Sequence, residues 1–303
     1  MSKIKVSAPG KLMLFGEHAV VYGFPCIVTA IDKRITVEIE KTPEKKDRVI
    51  SSGVSDTRFV DMAIAVLKRK FTISENVRIK IQSDLGQYGL GSSSAVTVAT
   101  LKGLLDLFSI KINNKELFQL AYETVLSVQG KASGFDVAAS IYGGTIYFDG
   151  KTKAVEKITE SSLPLVIGFS GIKADTSKMI NQVAMLKAEK PRIAALIFSQ
   201  IGNLVKKAKK IIKNKNWIRL GEVMLKNQSL LDKLGVVSPK LAKMTEVSFK
   251  AGAYGAKISG AGGGDCMIAL VSEAKKSRVL EAIGKAGGQV IDLITSGEGV
   301  RQL

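Results

Sequence analysis

Histidine is almost absent from this 303-residue chain: His18 is the only one, so any Ser-His-Asp or Cys-His machinery would have to use it, which disfavours hydrolase chemistry. Cysteine is nearly as scarce. Cys26 and Cys266 cannot make a disulfide framework, Cys-x-x-Cys and histidine clusters for zinc are missing, and both thiols read as small buried hydrophobes. No apolar run approaches the roughly 18 residues needed to span a bilayer, and Met1-Ser2-Lys3-Ile4-Lys5 opens a strand rather than a signal peptide. A cytoplasmic protein with no membrane partner is therefore expected. Acidic residues are also few, 27 against 45 Lys plus Arg, for a net charge of +18. That surplus suits anionic partners without choosing among nucleic acid, membrane and phosphorylated metabolites. The densest basic block, Lys206, Lys207, Lys209, Lys210, Lys213 and Lys215, falls opposite the apolar positions Ile201, Leu204, Val205, Ala208, Ile211 and Ile212 of a helical pattern. It reads as a solvated face. Nucleic-acid modules interleave aromatics with their basic residues, and only Trp217 lies near, so no nucleic-acid partner is expected.

What is present is ordinary globular composition, 46% apolar and 24% charged, at a length that suggests two domains with separate cores. Alternation predicts strands over residues 4–7, 35–40 and 77–82, with helical spacing over 59–71, about 94–107 and 115–128. A short apolar stretch at 137–141 and a strand at 144–148 follow. The break at Ser161-Ser162-Leu163-Pro164 places a boundary near 160, giving domains 1–160 and 161–303. The second opens with a strand at 165–169 and is mostly helical to Gly252. Strands at 256–259 and 267–271, a helix over 273–286 and a strand near 289–294 complete an α+β arrangement.

The most informative segment is Gly89-Leu90-Gly91-Ser92-Ser93-Ser94, a glycine-hydroxyl loop after a strand and before a helix. A helix N-terminus presents unpaired N–H groups, and glycines let the main chain approach a ligand closely, so this context suits a phosphate cradle. It lacks the lysine of a P-loop and the third glycine of a Rossmann fingerprint. Alone, it is equally a Gly-Ser turn capping an ordinary helix. Two further segments bear on the choice. One is Ala8-Pro9-Gly10-Lys11-Leu12-Met13-Leu14-Phe15-Gly16-Glu17-His18-Ala19-Val20-Val21-Tyr22-Gly23. The other, Lys257-Ile258-Ser259-Gly260-Ala261-Gly262-Gly263-Gly264-Asp265-Cys266, reads by itself as a hairpin loop between apolar strands.

Together, in this order, the three segments resemble the galactokinase, homoserine kinase, mevalonate kinase and phosphomevalonate kinase (GHMP kinase) superfamily, and the resemblance covers essentially the whole chain. It implies a ribosomal-protein-S5-like amino-terminal domain, a ferredoxin-like carboxy-terminal one and an active site between them. It also implies ATP and Mg²⁺ as cofactors and a small anionic acceptor. Mevalonate is favoured over 5-phosphomevalonate, and a homodimer is compatible with it. By the same resemblance Asp136, in Ser-Gly-Phe-Asp, is the carboxylate that accepts the hydroxyl proton, and Lys11 polarises the acceptor oxygen. Gly89, Leu90, Gly91, Ser92, Ser93, Ser94, Gly260, Ala261, Gly262 and Gly263 hold the nucleotide, with Ser93 on the metal. Glu17, His18 and Thr176 lie beside the substrate, Glu17 being also a candidate to position Lys11. Structural alternatives stand beside each: Asp136 as a helix N-cap, Lys11 as a surface lysine, His18 as a buried structural histidine, and Asp175 or Thr176 as the next helix's N-cap.

The chain departs from the mevalonate kinase pattern at Val125, where a Mg²⁺-binding glutamate is expected eleven residues before the aspartate. Glu123 is a poor stand-in, since two residues along a helix turn it about 200° away. Tyr88-Gly89-Leu90-Gly91-Ser92-Ser93, Ser133-Gly134-Phe135-Asp136 and Gly264-Asp265-Cys266 resemble phosphomevalonate kinases more. The residue 15–23 segment and Asn227-Gln228-Ser229-Leu230-Leu231-Asp232-Lys233-Leu234-Gly235-Val236 resemble mevalonate kinase. Loss of the metal ligand also admits a non-catalytic small-ligand sensor of the same fold, against which Lys11, Ser93 and Asp136 argue.

Overall fold

The structure, a computed structural model, describes residues 3–54 and 56–303. In chain order its first half comprises β1 (Lys3–Phe15), β2 (Cys26–Thr42), β3 (Arg48–Ser52), α1 (Arg58–Phe71), β4 (Asn76–Ser83), α2 (Ser92–Leu107), α3 (Asn114–Gln129), α4 (Phe135–Tyr142), β5 (Thr145–Phe148) and β6 (Val155–Thr159). The second comprises β7 (Leu165–Phe169), α5 (Thr176–Glu189), α6 (Pro191–Lys213), α7 (Trp217–Lys233), α8 (Pro239–Lys250), β8 (Gly255–Ser259), β9 (Cys266–Leu270), α9 (Glu273–Lys285), β10 (Gln289–Ile291) and β11 (Arg301–Gln302).

Two sheets result, as the α+β reading expects. The larger runs β11-β1-β2-β4-β3, with β5 added on β2 and β6 on β5. Its alternating positions Val6, Val37, Ile39, Ile79 and Ile81 are buried, and α2 packs on β1 and β2 while also touching α1, α3 and α4. That central position explains why α2 is apolar on nearly all sides rather than striped. A Cβ on Gly103 would come within 2.8 Å of Ile39, so glycine lets the helix sit close to the sheet. The smaller sheet is antiparallel throughout, β10-β7-β9-β8, covered by α7, α8 and α9.

Strand β1 is much longer than the alternation over 4–7 suggests. From Val6 to Phe15 every residue is buried, so both faces are covered and no polar alternation survives to be read. Register shifts at Pro9/Lys11 and Met13/Phe15 accommodate Pro9 and Gly10 as irregularities in the strand. Strands β3, β6 and β11 are short and largely exposed, which is why their sequences carry little signal. The tail returns to the first sheet: β11 pairs with β1, the Leu303 N–H donates to Lys5 O at 2.8 Å, and Arg34 donates to the carbonyls of Glu298 (2.8 Å) and Gly299 (2.7 Å). Burial and the nearby Arg301 lower the Arg34 guanidinium to about 10. The lysines of α6 do lie toward solvent, and two of them, Lys209 and Lys213, pair with Glu156 of β6 at 2.5 and 3.0 Å. Among the described residues no helix is long and apolar enough to cross a membrane.

Candidate active site

The three glycine-bearing segments converge where the two sheets meet. Gly10 lies against the phosphate loop so closely that a Cβ there would reach 2.7 Å from Leu90 O and 2.4 Å from Leu85. The next residue completes the contact, with the Lys11 N–H donating to Leu90 O at 2.8 Å. Only glycine permits this approach. The Lys11 side chain then runs beneath the loop. Its Cγ and Cε would be 3.0 Å from a Cβ on Gly91, which itself has φ +85°. Its ammonium donates to Gly89 O at 3.4 Å and sits 3.1 Å from Asp136 Oδ1.

Asp136 is not the N-cap of its helix. Gly134, at φ +92°, holds that place, and Asp136 lies in the first turn of α4, its carboxylate 30% exposed beside a Lys11 side chain only 10% exposed. Asp136 Oδ1 accepts no hydrogen bond, because the ammonium approaches it outside hydrogen-bonding geometry. Oδ1 is thus buried against the cation, and the exposed remainder of the carboxylate is the part a hydroxyl can reach. Lys153, which the sequence did not single out, braces this turn by donating to Ser133 O at 3.0 Å and Gly150 O at 2.8 Å.

On the loop itself, Gly91 is the N-cap of α2 and no side chain caps the helix. The first intrahelical bond is from the Ala95 N–H to Gly91 O, at 3.1 Å. The N–H groups of Ser92, Ser93 and Ser94 precede it and point out of the helix end, which is the chemistry of an anion site. Part of the third segment's main chain is bonded internally. The Gly263 N–H already donates to Val236 O at 2.8 Å, a Cβ on Gly262 would strike that same carbonyl, and Gly260 and Ala261 lead the loop back toward the first domain. There Ala261 O accepts from His18 Nε2 at 2.8 Å.

Glu17 does not reach Lys11. It is paired instead with Lys257 of β8, both side chains being 0% exposed, and Lys257 also donates to Ile258 O at 2.6 Å. Burial lowers the Lys257 ammonium from its ordinary value against the opposing pull of Glu17. Two residues along the same strand, the Ser259 hydroxyl accepts from the Met13 N–H at 3.1 Å and donates to Met13 O at 2.9 Å. The first and third segments are thus stitched together by Met13–Ser259, Glu17–Lys257 and His18–Ala261. The sequence hint was a lysine within the apolar strand pattern Ala256–Ser259, a place where an unpaired charge would be costly. Thr176 is exposed at the start of α5, and Asp175 is the N-cap, accepting from the Lys178 N–H at 2.9 Å.

Val125 is 4% exposed within the hydrophobic core, and Glu123 points away to Arg69 on α1 at 2.8 Å. No carboxylate of α3 therefore replaces the missing glutamate. Among the described residues no cluster of three or more His, Cys, Asp or Glu could hold a metal by itself. The thiols are inert: burial pushes Cys26 well up and Cys266 to about 12.

His18 carries a testable pH signature. Burial lowers its pKa from 6.5, and because Ala261 O can only accept, the neutral ring carries its proton on Nε2. Its contribution to stability is present above pH 6.5 and is lost as pH falls from there toward the lowered folded value, since only the unfolded chain takes up the proton. Melting temperature is expected to decline across that window in the parent and to decline less in His18→Asn, because asparagine does not titrate there. Parallel pH profiles would exclude His18 as the titrating group.

Comparison with known proteins fits this geometry. The model for the GHMP kinases N terminal domain matches residues 58–144, and that for the GHMP kinases C terminal matches 206–289. The chain is 35% identical to the mevalonate kinase of Thermococcus sibiricus, over 99% of this chain and 98% of that protein. The chain belongs to the GHMP kinase family. The galactokinase galactose-binding signature also matches residues 2–41 of this GHMP kinase. Its identity to the mevalonate kinase of Pyrococcus furiosus is 36%, again over 99% of this chain and 98% of that one. Among solved structures it resembles the Methanococcus jannaschii mevalonate kinase with a TM-score of 0.84 and 28% identity, over 98% of this chain and 99% of that one. Its activity is that of a small-molecule kinase.

Proposed function

We propose that this GHMP kinase transfers the γ-phosphoryl group of ATP to the hydroxyl of mevalonate, giving 5-phosphomevalonate and ADP. The observation that carries the reading is the Lys11–Asp136 pair, 3.1 Å apart, lying beneath the loop that leads into the open N-terminus of α2. Full-length similarity to mevalonate kinases supports the choice of acceptor.

Each residue has a separate task. The N–H groups of Ser92, Ser93 and Ser94 hold phosphate oxygens, and the glycines around them keep side chains clear of the ligand. Asp136 accepts the hydroxyl proton as the acceptor oxygen bonds to the γ-phosphorus and the bond to the β-phosphate oxygen breaks. Lys11 holds Asp136 in place and offers a positive charge to the acceptor oxygen as it gives up its proton. Thr176 stands on the acceptor side, at the start of α5. Glu17 and His18 act from beneath, fixing the first segment against the third. Mg²⁺ bound with the nucleotide would neutralise phosphate charge. The half-buried hydroxyl of Ser93, unused as a helix cap, is the side chain suited to it.

The assay that tests this reading is ADP release from purified protein with ATP and Mg²⁺, given mevalonate, 5-phosphomevalonate, homoserine or galactose in turn. Turnover with mevalonate is expected, and turnover only with one of the other three would replace the proposed acceptor. Ser93→Ala should raise the Mg²⁺ concentration for half-maximal rate several-fold while leaving the affinity for metal-free nucleotide within about twofold, because the backbone donors remain. An unchanged Mg²⁺ requirement in activity titrations would return Ser93 to a purely structural role.

A further inference from the structure

Asp265 occupies a place that no role above uses. It follows the glycines of the third segment, at φ +57°, a conformation costly for residues other than glycine, although aspartate and asparagine tolerate it best. Its main chain is bonded on both sides to the turn between β7 and α5: its N–H donates to Ile172 O at 2.7 Å, and its carbonyl accepts from the Ser170 N–H at 2.9 Å. The carboxylate adds a third tie, Oδ1 accepting from the Ala174 N–H at 3.0 Å. The other oxygen faces the phosphate loop, since a Cβ on Gly89 would lie only 2.2 Å from Oδ2. Gly89 is therefore held between two charges, Asp265 on one side and Lys11, which donates to its carbonyl, on the other. The next residue repeats the junction, with the Cys266 thiol donating to Tyr88 O at 3.2 Å.

We propose that Asp265 is a positioning residue for phosphoryl transfer: it fixes the 170–175 turn, and with it Thr176 on the acceptor side, against the phosphate loop that carries Gly89. The inference rests on the reading of the site given above, because it takes the loop as the nucleotide side and α5 as the acceptor side. Among the described residues, the one hydrogen bond the Asp265 side chain makes is to that turn. Glycine would fit the backbone better, and what only aspartate or asparagine supplies is the oxygen that receives the Ala174 N–H.

Asp265→Gly and Asp265→Asn separate positioning from packing. In Asp265→Gly the backbone strain is relieved while the Ala174 bond is lost, so melting temperature should equal or exceed that of the parent while kcat falls at least tenfold and the acceptor KM rises. The nucleotide KM should stay within about twofold. Asp265→Asn keeps an oxygen in place and should retain kcat within about threefold. Amide exchange at Ala174 in the nucleotide-free protein, which needs no activity, should accelerate at least tenfold in the glycine variant and not in the asparagine variant. Unchanged exchange in Asp265→Gly, or faster exchange with kcat and acceptor KM intact, would overturn the proposal, as would an asparagine variant as impaired as the glycine one. If the parent itself fails to turn over mevalonate, the acceptor assignment falls, while the exchange measurement still judges whether Asp265 holds the turn.

Discussion

Asp136→Asn is expected to lower kcat by about 10² to 10⁴-fold, the range for removing a positioned proton acceptor, while the nucleotide KM changes by no more than about twofold. The asymmetry follows from the geometry. The donors assigned to phosphate belong to the start of α2 and share no hydrogen bond with Asp136, whose neighbour is the Lys11 ammonium at 3.1 Å. Asparagine preserves the size of the side chain and its place in the first turn of α4, so the loss should fall on the chemical step rather than on folding. Steady-state kinetics at saturating ATP, with a melting curve as control, check this. Turnover within threefold of the parent would exclude Asp136 as the base. A large loss in nucleotide affinity would mean instead that its carboxylate serves the metal-nucleotide complex.

The second large effect concerns stability. Lys257→Met should cost about 3–5 kcal/mol, the penalty for leaving one member of a buried ion pair uncompensated, and so lower the melting temperature by on the order of 10 °C. Glu17 would then be a fully buried carboxylate with no cation, and its Oε2 already lacks a hydrogen-bond partner. Replacing both residues, as in Lys257→Met/Glu17→Leu, should recover most of the loss, because two apolar side chains against Phe15 need no charge balance. A double variant as unstable as the single one would show that the pair contributes through packing or through the Lys257 bond to Ile258 O. Calorimetric or optical melting distinguishes these outcomes.

Much of this architecture was legible before the structure, for identifiable reasons. Helices α1 and α3 carry apolar positions at helical spacing. The loop into α2 announced itself by composition. That Lys11 and Asp136 belong to one site was expected from the resemblance alone, since they are far apart in sequence, and the structure sets them 3.1 Å apart. Four things were not legible. Burial of β1 on both faces hid its length, since alternation marks a strand only when one face meets water. The return of the tail to the first sheet depends on Arg34 and on β11, a strand of two exposed residues with no pattern to read. The true partner of Glu17 is 240 positions away in Lys257, and no local rule links them. Asp265 was visible as an extra aspartate after the glycines. Its task was not, because that depends on the 170–175 turn reaching it through space.

The central claim is that mevalonate is the acceptor, and it is tested most directly by measuring kcat/KM for mevalonate and for 5-phosphomevalonate in one preparation, with the products identified by mass. Formation of 5-phosphomevalonate from mevalonate, at a kcat/KM at least about a hundredfold above that for 5-phosphomevalonate, is the predicted result, corresponding to roughly 2.7 kcal/mol of transition-state discrimination. The reverse preference, with 5-diphosphomevalonate as the product, would contradict it.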